Sequence, residues 1–473
     1  VAPPPAPPPP PEAAIPEAPR APDFPLPDLT GTVGAAPAPR WSLDAPRAAA
    51  PTAPALADAL AGGPVPDAPR VPTPVPGAAP ALGPDAPVAP LPAPTPARGV
   101  TPNAAAISAR ALADALAKPE AAAPVFREID DRLALALSVQ DSPADPDHRY
   151  FRLDIRRRPD SPLPIMPKDV LIVQDVSGSI GADRLAAAKR VLKAALANTL
   201  RQGDRFIVFA FRHNTLTPSD AWRPYDADSK AYADAFIDSL RAVGNTDILN
   251  LLTDILNLPA DPARPLIAVL VSDGDPTVGD TRTAHIISEF SGKNDGRIAI
   301  YAFATGASGK RTSHYDPYFL DLLSYANRGE SVTASGDVAA LADELAPLFD
   351  SIRHPVLKDP VLTFDSASGG EVHPRHLTHL FADRPLIVYG RVPKSAKTVT
   401  CQLRGQAADD AYDAVFTFDL ADAPRADHDL RADWARRALF DLLVDYEANP
   451  SEALLRRIGD FAARHGLPNP YRR

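Results

Sequence analysis

Four short apolar runs constrain the fold of this chain more than any other feature. Leu171–Val173 (within 169–175), Arg205–Phe211, Leu266–Val271 and Arg297–Phe303 have almost wholly apolar interiors. Each therefore reads as a strand buried on both faces rather than one half in water. Segments of helical spacing separate them. Leu185, Ala188, Val191, Leu192, Ala195 and Leu196 mark a helix over 180–200, and Ile248, Leu251, Leu252 and Ile255 mark one over 247–257. Further helices are expected over 228–242, 280–290, 316–326 and 337–352, with a short strand at 331–333 and a small antiparallel strand near 221–225. Strands alternating with helices predict an α/β fold with a doubly wound, mostly parallel sheet.

The polar residues at the strand ends carry the chemistry. Asp175, Ser177 and Ser179 alternate just after the first strand, in Val170-Leu-Ile-Val-Gln-Asp-Val-Ser-Gly-Ser179. They sit in the turn between a strand's carboxyl end and a helix, where open α/β sheets bind ligands. Gly244-Asn-Thr-Asp247 adds the hydroxyl of Thr246 from a second loop, and Ser272-Asp-Gly-Asp-Pro276 places Asp273 after a third. Oxygen-only ligands of this kind suit a hard cation that keeps some of its water, Mg²⁺ ahead of Zn²⁺.

On these three motifs the region 168–353 resembles a von Willebrand factor type A (A) domain, and the five residues match that family's metal-ion-dependent adhesion site. The resemblance implies a bound Mg²⁺ (or Mn²⁺). Ser177 and Ser179 would bind it directly, Thr246 directly or through water, and Asp175 and Asp273 through coordinated waters. It also implies one coordination position left for an Asp or Glu carboxylate of a partner protein. After residue 354 the character changes: Val361–Asp365, Pro385–Val392, Thr398–Arg404 and Ala414–Asp419 are short β-type runs, which predict an antiparallel β-sandwich over 355–425. Helices are expected at 433–444 and 451–465, within a C-terminal segment 430–473. This layout resembles bacterial proteins of the inter-alpha-trypsin inhibitor heavy-chain type, in Arg384-Pro-Leu-Ile-Val-Tyr-Gly-Arg391, Trp434-Ala-Arg436 and Ala462-Ala-Arg-His-Gly-Leu-Pro-Asn-Pro-Tyr471.

Upstream, residues 125–160 hold two strands, 133–139 and 150–156. Two strands alone do not make a stable sheet in water, so they are expected to join the sandwich, making the A domain an insertion within it. Residues 105–124 are a short helix (105–118) and a linker. Of the 57 prolines, 31 fall in residues 1–100, with only Phe24 and Trp41 as aromatics. Residues 1–104 therefore predict a disordered Pro/Ala-rich linker, partly polyproline II, which at ~3.1 Å per residue would reach up to a few hundred Å.

Several function classes are disfavoured. A net charge of −10 without a long basic stretch argues against nucleic-acid binding. No apolar run reaches the ~18 residues of a membrane span. No G-x-S-x-G elbow or G-x-x-x-x-G-K-[ST] loop occurs; Gly306–Thr312 imitates the latter loosely, and an enzyme is not expected. His213 follows a strand on the ligand side and could line the site. His373, His376 and His379 recur every third residue, a spacing open to weak zinc binding, although Pro374 breaks a helix there. The start Val-Ala-Pro-Pro-Pro suggests a product processed just after a signal or an anchor upstream of Val1. The expected role is an adhesion or interaction module at the bacterial cell envelope, outside the cytoplasm. The alternative is a cytoplasmic partner of an AAA-type ATPase.

Overall fold

The computed structural model describes residues 127–471 apart from 129, 131, 220, 307–316, 366–370 and 470. The linker 1–104, the helix 105–118, most of the Gly306–Thr312 loop and His314 lie outside the described residues. The chain enters through β1 (Arg127–Glu128), β2 (Leu133–Ser142) and β3 (Asp145–Arg157). The α/β unit follows as β4 (Asp169–Asp175), α1 (Ala182–Thr199), β5 (Arg205–Phe211), β6 (Thr215–Leu216), β7 (Arg223–Pro224), α2 (Ala227–Ser239) and α3 (Ile248–Leu256). It continues with β8 (Leu266–Ser272), α4 (Thr283–Asn294), β9 (Ile298–Ala304), α5 (Pro317–Ala326), β10 (Ser331–Thr333) and α6 (Leu341–Asp350). Last come β11 (Pro355–Phe364), β12 (Glu371–His373), β13 (Leu380–Phe381), β14 (Leu386–Pro393), β15 (Thr398–Gln406), β16 (Ala411–Asp419), α7 (Leu430–Ala448) and α8 (Glu452–His465).

In the α/β unit every residue of β4, β8 and β9 is buried, because helices cover both faces of the sheet. The order is β10-β9-β8-β4-β5-β6, with β4, β5, β8, β9 and β10 parallel. The small antiparallel strand expected near 221–225 is split in two. β6 pairs with the end of β5 through Phe211 and Thr215, and β7 with its start through Arg205 and Pro224. Pro224 has no N–H to extend the ladder. α4 starts and ends later than its spacing implied. Asp280 is engaged by the Arg282 amide (2.9 Å) and by His285 (2.7 Å), so the helix begins at Thr283. Asn294 closes it by bonding both backbone groups of Ile298.

β2 and β3 pair with strands from beyond the α/β unit. One sheet runs β1-β2-β3-β14-β12, with Leu386–Pro393 against His148–Ile155, and the other runs β13-β11-β15-β16. They share one core that includes Leu135, Phe151, Leu153 and Val388 from the first sheet and Leu357, Leu403 and Phe416 from the second. Gly390 is required in this core, since a Cβ there would lie 2.0 Å from the Phe151 ring.

The C-terminal helices form a wedge rather than an appendage. α7 buries Trp434, Ala435 and Ala438 against Tyr150 and Tyr389 of the sandwich. Its Leu439, Leu442 and Leu443 enter the α/β core beside Leu320 and Leu323. Asp441 joins all three parts: it accepts a hydrogen bond from the Tyr325 hydroxyl (2.9 Å) and pairs with His373 and Arg375. The three histidines of 373–379 thus face different ways. His373 meets Asp441, His376 lies edge-on to Tyr325, and His379 accepts the Asp359 amide at Nδ1 (3.2 Å).

His379 is buried between the α/β unit and β11, and burial pushes its pKa down to about 4. The folded protein therefore keeps this ring neutral, while the unfolded chain takes a proton near 6.5. Stability from this site is present above pH 6.5 and is lost as pH falls toward 4. His379→Gln should flatten the decline of unfolding free energy over that window by up to about 1.4 kcal/mol per pH unit, measured by urea titration. An unchanged slope would overturn this assignment. Burial also lowers His376, so some slope remains in the variant.

Candidate metal centre

The sheet order creates the crevice. The chain leaves β4 to one side for β5, then returns past it to β8 on the other side, so the loops after β4 and β8 diverge at the topological switch. A third loop, between α2 and α3, is stitched to the exits of β4 and β5. The Gly178 amide donates to Gly244 O (2.9 Å), Val243 N to Val176 O (2.8 Å), and Asp247 N to Arg212 O (2.8 Å). Gly244 holds φ +96° beneath the Arg212 side chain, a conformation that favours glycine. The Asp247 side chain caps α3 by accepting from Asn250 N (3.0 Å).

Asp175, Ser177, Thr246 and Asp273 are all buried, and Ser179 is partly so. Asp175 is fixed on both oxygens: Oδ1 accepts the Ser177 amide (2.8 Å), and Oδ2 accepts the Ser272 hydroxyl (2.6 Å). The Ser177 and Ser179 hydroxyls stand 3.0 Å apart. Two buried oxygens, Thr246 Oγ1 and Asp273 Oδ2, have no hydrogen-bond partner. Burial, reinforced by the charge of Asp273, pushes the Asp175 carboxyl up to about 7, and burial raises Asp273 as well. Two carboxylates in a dry crevice oppose each other's ionisation, and a divalent cation offsets that cost. The donor set therefore fits a hard cation by its chemistry and by its two unpaired buried oxygens.

Two residues that shape this site carry no signal in the spacing. Ser272 orients Asp175 while accepting the Gly274 amide (3.0 Å). Thr277 receives the Thr246 amide on its hydroxyl (2.8 Å), and its own amide donates to Thr246 O (2.9 Å). Ser272 could have been suspected from its place before Asp273; Thr277 could not. His213 is exposed and flanks Gly244, with its Nδ1 3.6 Å from where a Cβ on that glycine would stand. Among the described residues, no three of His, Cys, Asp or Glu gather as a metal-binding group, here or elsewhere; this site offers two carboxylates and three hydroxyls.

The family model of the von Willebrand factor type A domain matches residues 168–331. The chain carries a von Willebrand factor type A domain. Such A domains are protein-interaction modules, and many bind a divalent metal at an adhesion site. Inter-alpha-trypsin inhibitor heavy chain H2 of Sus scrofa is 27% identical over 325 residues, covering 63% of this chain and 33% of that protein. The Homo sapiens protein of the same name is 27% identical over 326 residues, with the same coverage. Both alignments are longer than the A-domain match, so the likeness extends into the flanking regions. The chain spans about a third of the length of these curated relatives. Among solved structures, a von Willebrand factor type A protein from Catenulispora acidiphila is 16% identical with a TM-score of 0.49, covering 72% of this chain and 89% of that one. Among the described residues, no helix is long and apolar enough to cross a membrane.

Proposed function

We propose that this protein is a metal-dependent interaction module, in which Asp175, Ser177, Ser179, Thr246 and Asp273 hold Mg²⁺ or Mn²⁺ and a partner protein supplies an Asp or Glu carboxylate. The observation that carries the reading is the pair of unpaired buried oxygens, Thr246 Oγ1 and Asp273 Oδ2, on the loops beside Asp175, whose carboxyl feels the charge of Asp273. When bound there, the ion would supply a positive centre able to accept one further carboxylate. The chain's own part is to hold two neutral Ser hydroxyls and a Thr hydroxyl in place while keeping bulk water out. Ser272 and Thr277 do the positioning. The place of action in this reading is the bacterial cell envelope, in keeping with the Pro-rich leader and the heavy-chain likeness.

Thr246→Ala separates metal function from folding. The hydroxyl makes no hydrogen bond within the protein, so its loss should change stability by no more than about 1 kcal/mol. Capture of envelope proteins in Mg²⁺ should fall by roughly 10-fold or more in the variant and vanish for both proteins in EDTA. Capture indifferent to metal and to Thr246 would sink this reading and move the contact surface to the β-rich part.

A further inference from the structure

A cavity of about 450 Å³ opens between α8, the first turns of α7 and the β12–β14 ladder. None of the three loops of the metal centre lines it. Its volume suits an organic ligand rather than a lone ion. α8 turns one face into it, because Arg456, Arg457, Asp460 and Arg464 fall on one arc at helical spacing; Arg391 enters from β14. Behind these cations the wall is aromatic. The Arg391 guanidinium lies 4.8 Å over the Trp434 ring, and the His465 and Phe461 rings are 4.4 Å apart.

Ion pairs hold two of the four guanidiniums. Arg391 is answered by Glu371 (3.1 Å) and Asp145 (3.4 Å), and Arg456 by Glu452 (3.2 Å) on the exposed helix surface. Among the described residues, neither Arg457 nor Arg464 forms an ion pair. Two of the four guanidiniums that line the cavity are thus unpaired, in a protein whose net charge is −10. His465 gives an independent sign: its Nδ1 is buried with no hydrogen-bond partner. Burial, then the nearby Arg431, Arg391 and Arg464, push its pKa down to about 4, against a weaker opposing pull from Asp145.

We propose that this cavity binds an organic phosphate or sulfate ester, with Arg457 and Arg464 holding the oxyanion and Arg391 and His465 forming the deeper wall. Guanidinium forks match a tetrahedral oxyanion, which offers three oxygens to paired N–H donors, better than any point charge would. The apolar edge of Phe461 takes the carbon portion. Cations in the last turn of α8 are also favoured by the helix carbonyls, so the sequence can hold them there without a resident anion.

The test is calorimetry on the full chain in EDTA, with glucose 6-phosphate, glucose 6-sulfate, inorganic phosphate and glucose as probes. The esters should bind with Kd below about 1 mM, weaken in salt, and bind more tightly than phosphate, while glucose does not bind. The double variant Arg457→Ala/Arg464→Ala, on exposed positions, should lose roughly tenfold or more, and Arg464→Lys should lose part of that. The His465 ring resonance should shift on ester addition, and its titration midpoint should rise. Affinity unchanged in the double variant would overturn the site, as would failure of both esters to saturate. Phosphate equal to the esters would overturn the organic ligand. Because the metal centre is disabled by EDTA in every arm, failure here is distinguishable from failure of the proposed Mg²⁺ function.

Discussion

Replacing Asp175 by alanine is expected to weaken Mg²⁺ binding by roughly 100-fold, read by calorimetry, while far-UV circular dichroism stays that of the wild type. The carboxylate is held on both oxygens, by the Ser177 amide and the Ser272 hydroxyl, so it meets an ion without reorganising. Its removal takes away half of the charge in the crevice. The sheet should persist, because Leu171, Val173 and Leu270 make the core around it without help from the carboxylate. Asp175→Asn keeps one acceptor oxygen and guards against local unfolding as the cause. In EDTA at pH 8 it should resist urea better than the wild type, since a buried charge opposite Asp273 is gone. Mg²⁺ should stabilise the wild type and leave both variants unmoved. Unchanged affinity in both variants would show that the ion binds elsewhere.

The second large effect concerns chain continuity. A protein lacking 125–157 but carrying 355–473 is expected to lose cooperative unfolding and to aggregate. β3 is an interior strand of its sheet, paired with β2 on one side and with eight residues of β14 on the other. Without it, β14 becomes an unpaired edge, and Val388, Leu403 and Phe416 lose the apolar partners Leu135, Phe151 and Leu153. Residues 168–353 alone should stay folded, with the α7 contact face exposed and stability reduced accordingly. Light scattering and urea denaturation of the two fragments test this. A soluble, cooperatively unfolding 355–473 would refute the view that the sandwich is built from both sides of the A domain.

The strands of the α/β unit were legible because they are buried on both faces, so apolar character alone identifies β4, β8 and β9. The sandwich was less so. β12 and β13 are three and two residues long, too short to show a period, and exist only through pairing with β14 and β11. α7 extends beyond the expected 433–444 because Asp429 caps it, accepting from Ala432 N, and it runs on to Ala448.

The sequence by itself determined the alternating α/β order and the oxygen chemistry of the candidate site, because strand burial and strand-end polar residues are local properties. Position 175 is acidic, 177 and 179 carry hydroxyls, and their alternation sets them on one turn wherever the chain goes. Only the tertiary structure decided that Ser272 orients that turn and Thr277 the Thr246 loop, since hydrogen bonds across 97 and 31 positions have no periodicity to betray them. It likewise decided that α7 wedges between the sandwich and the helices of the α/β unit. A helix with Trp434 on one side and Leu443 on the other looks merely apolar in sequence. Which partner each side meets depends on where two distant cores come together.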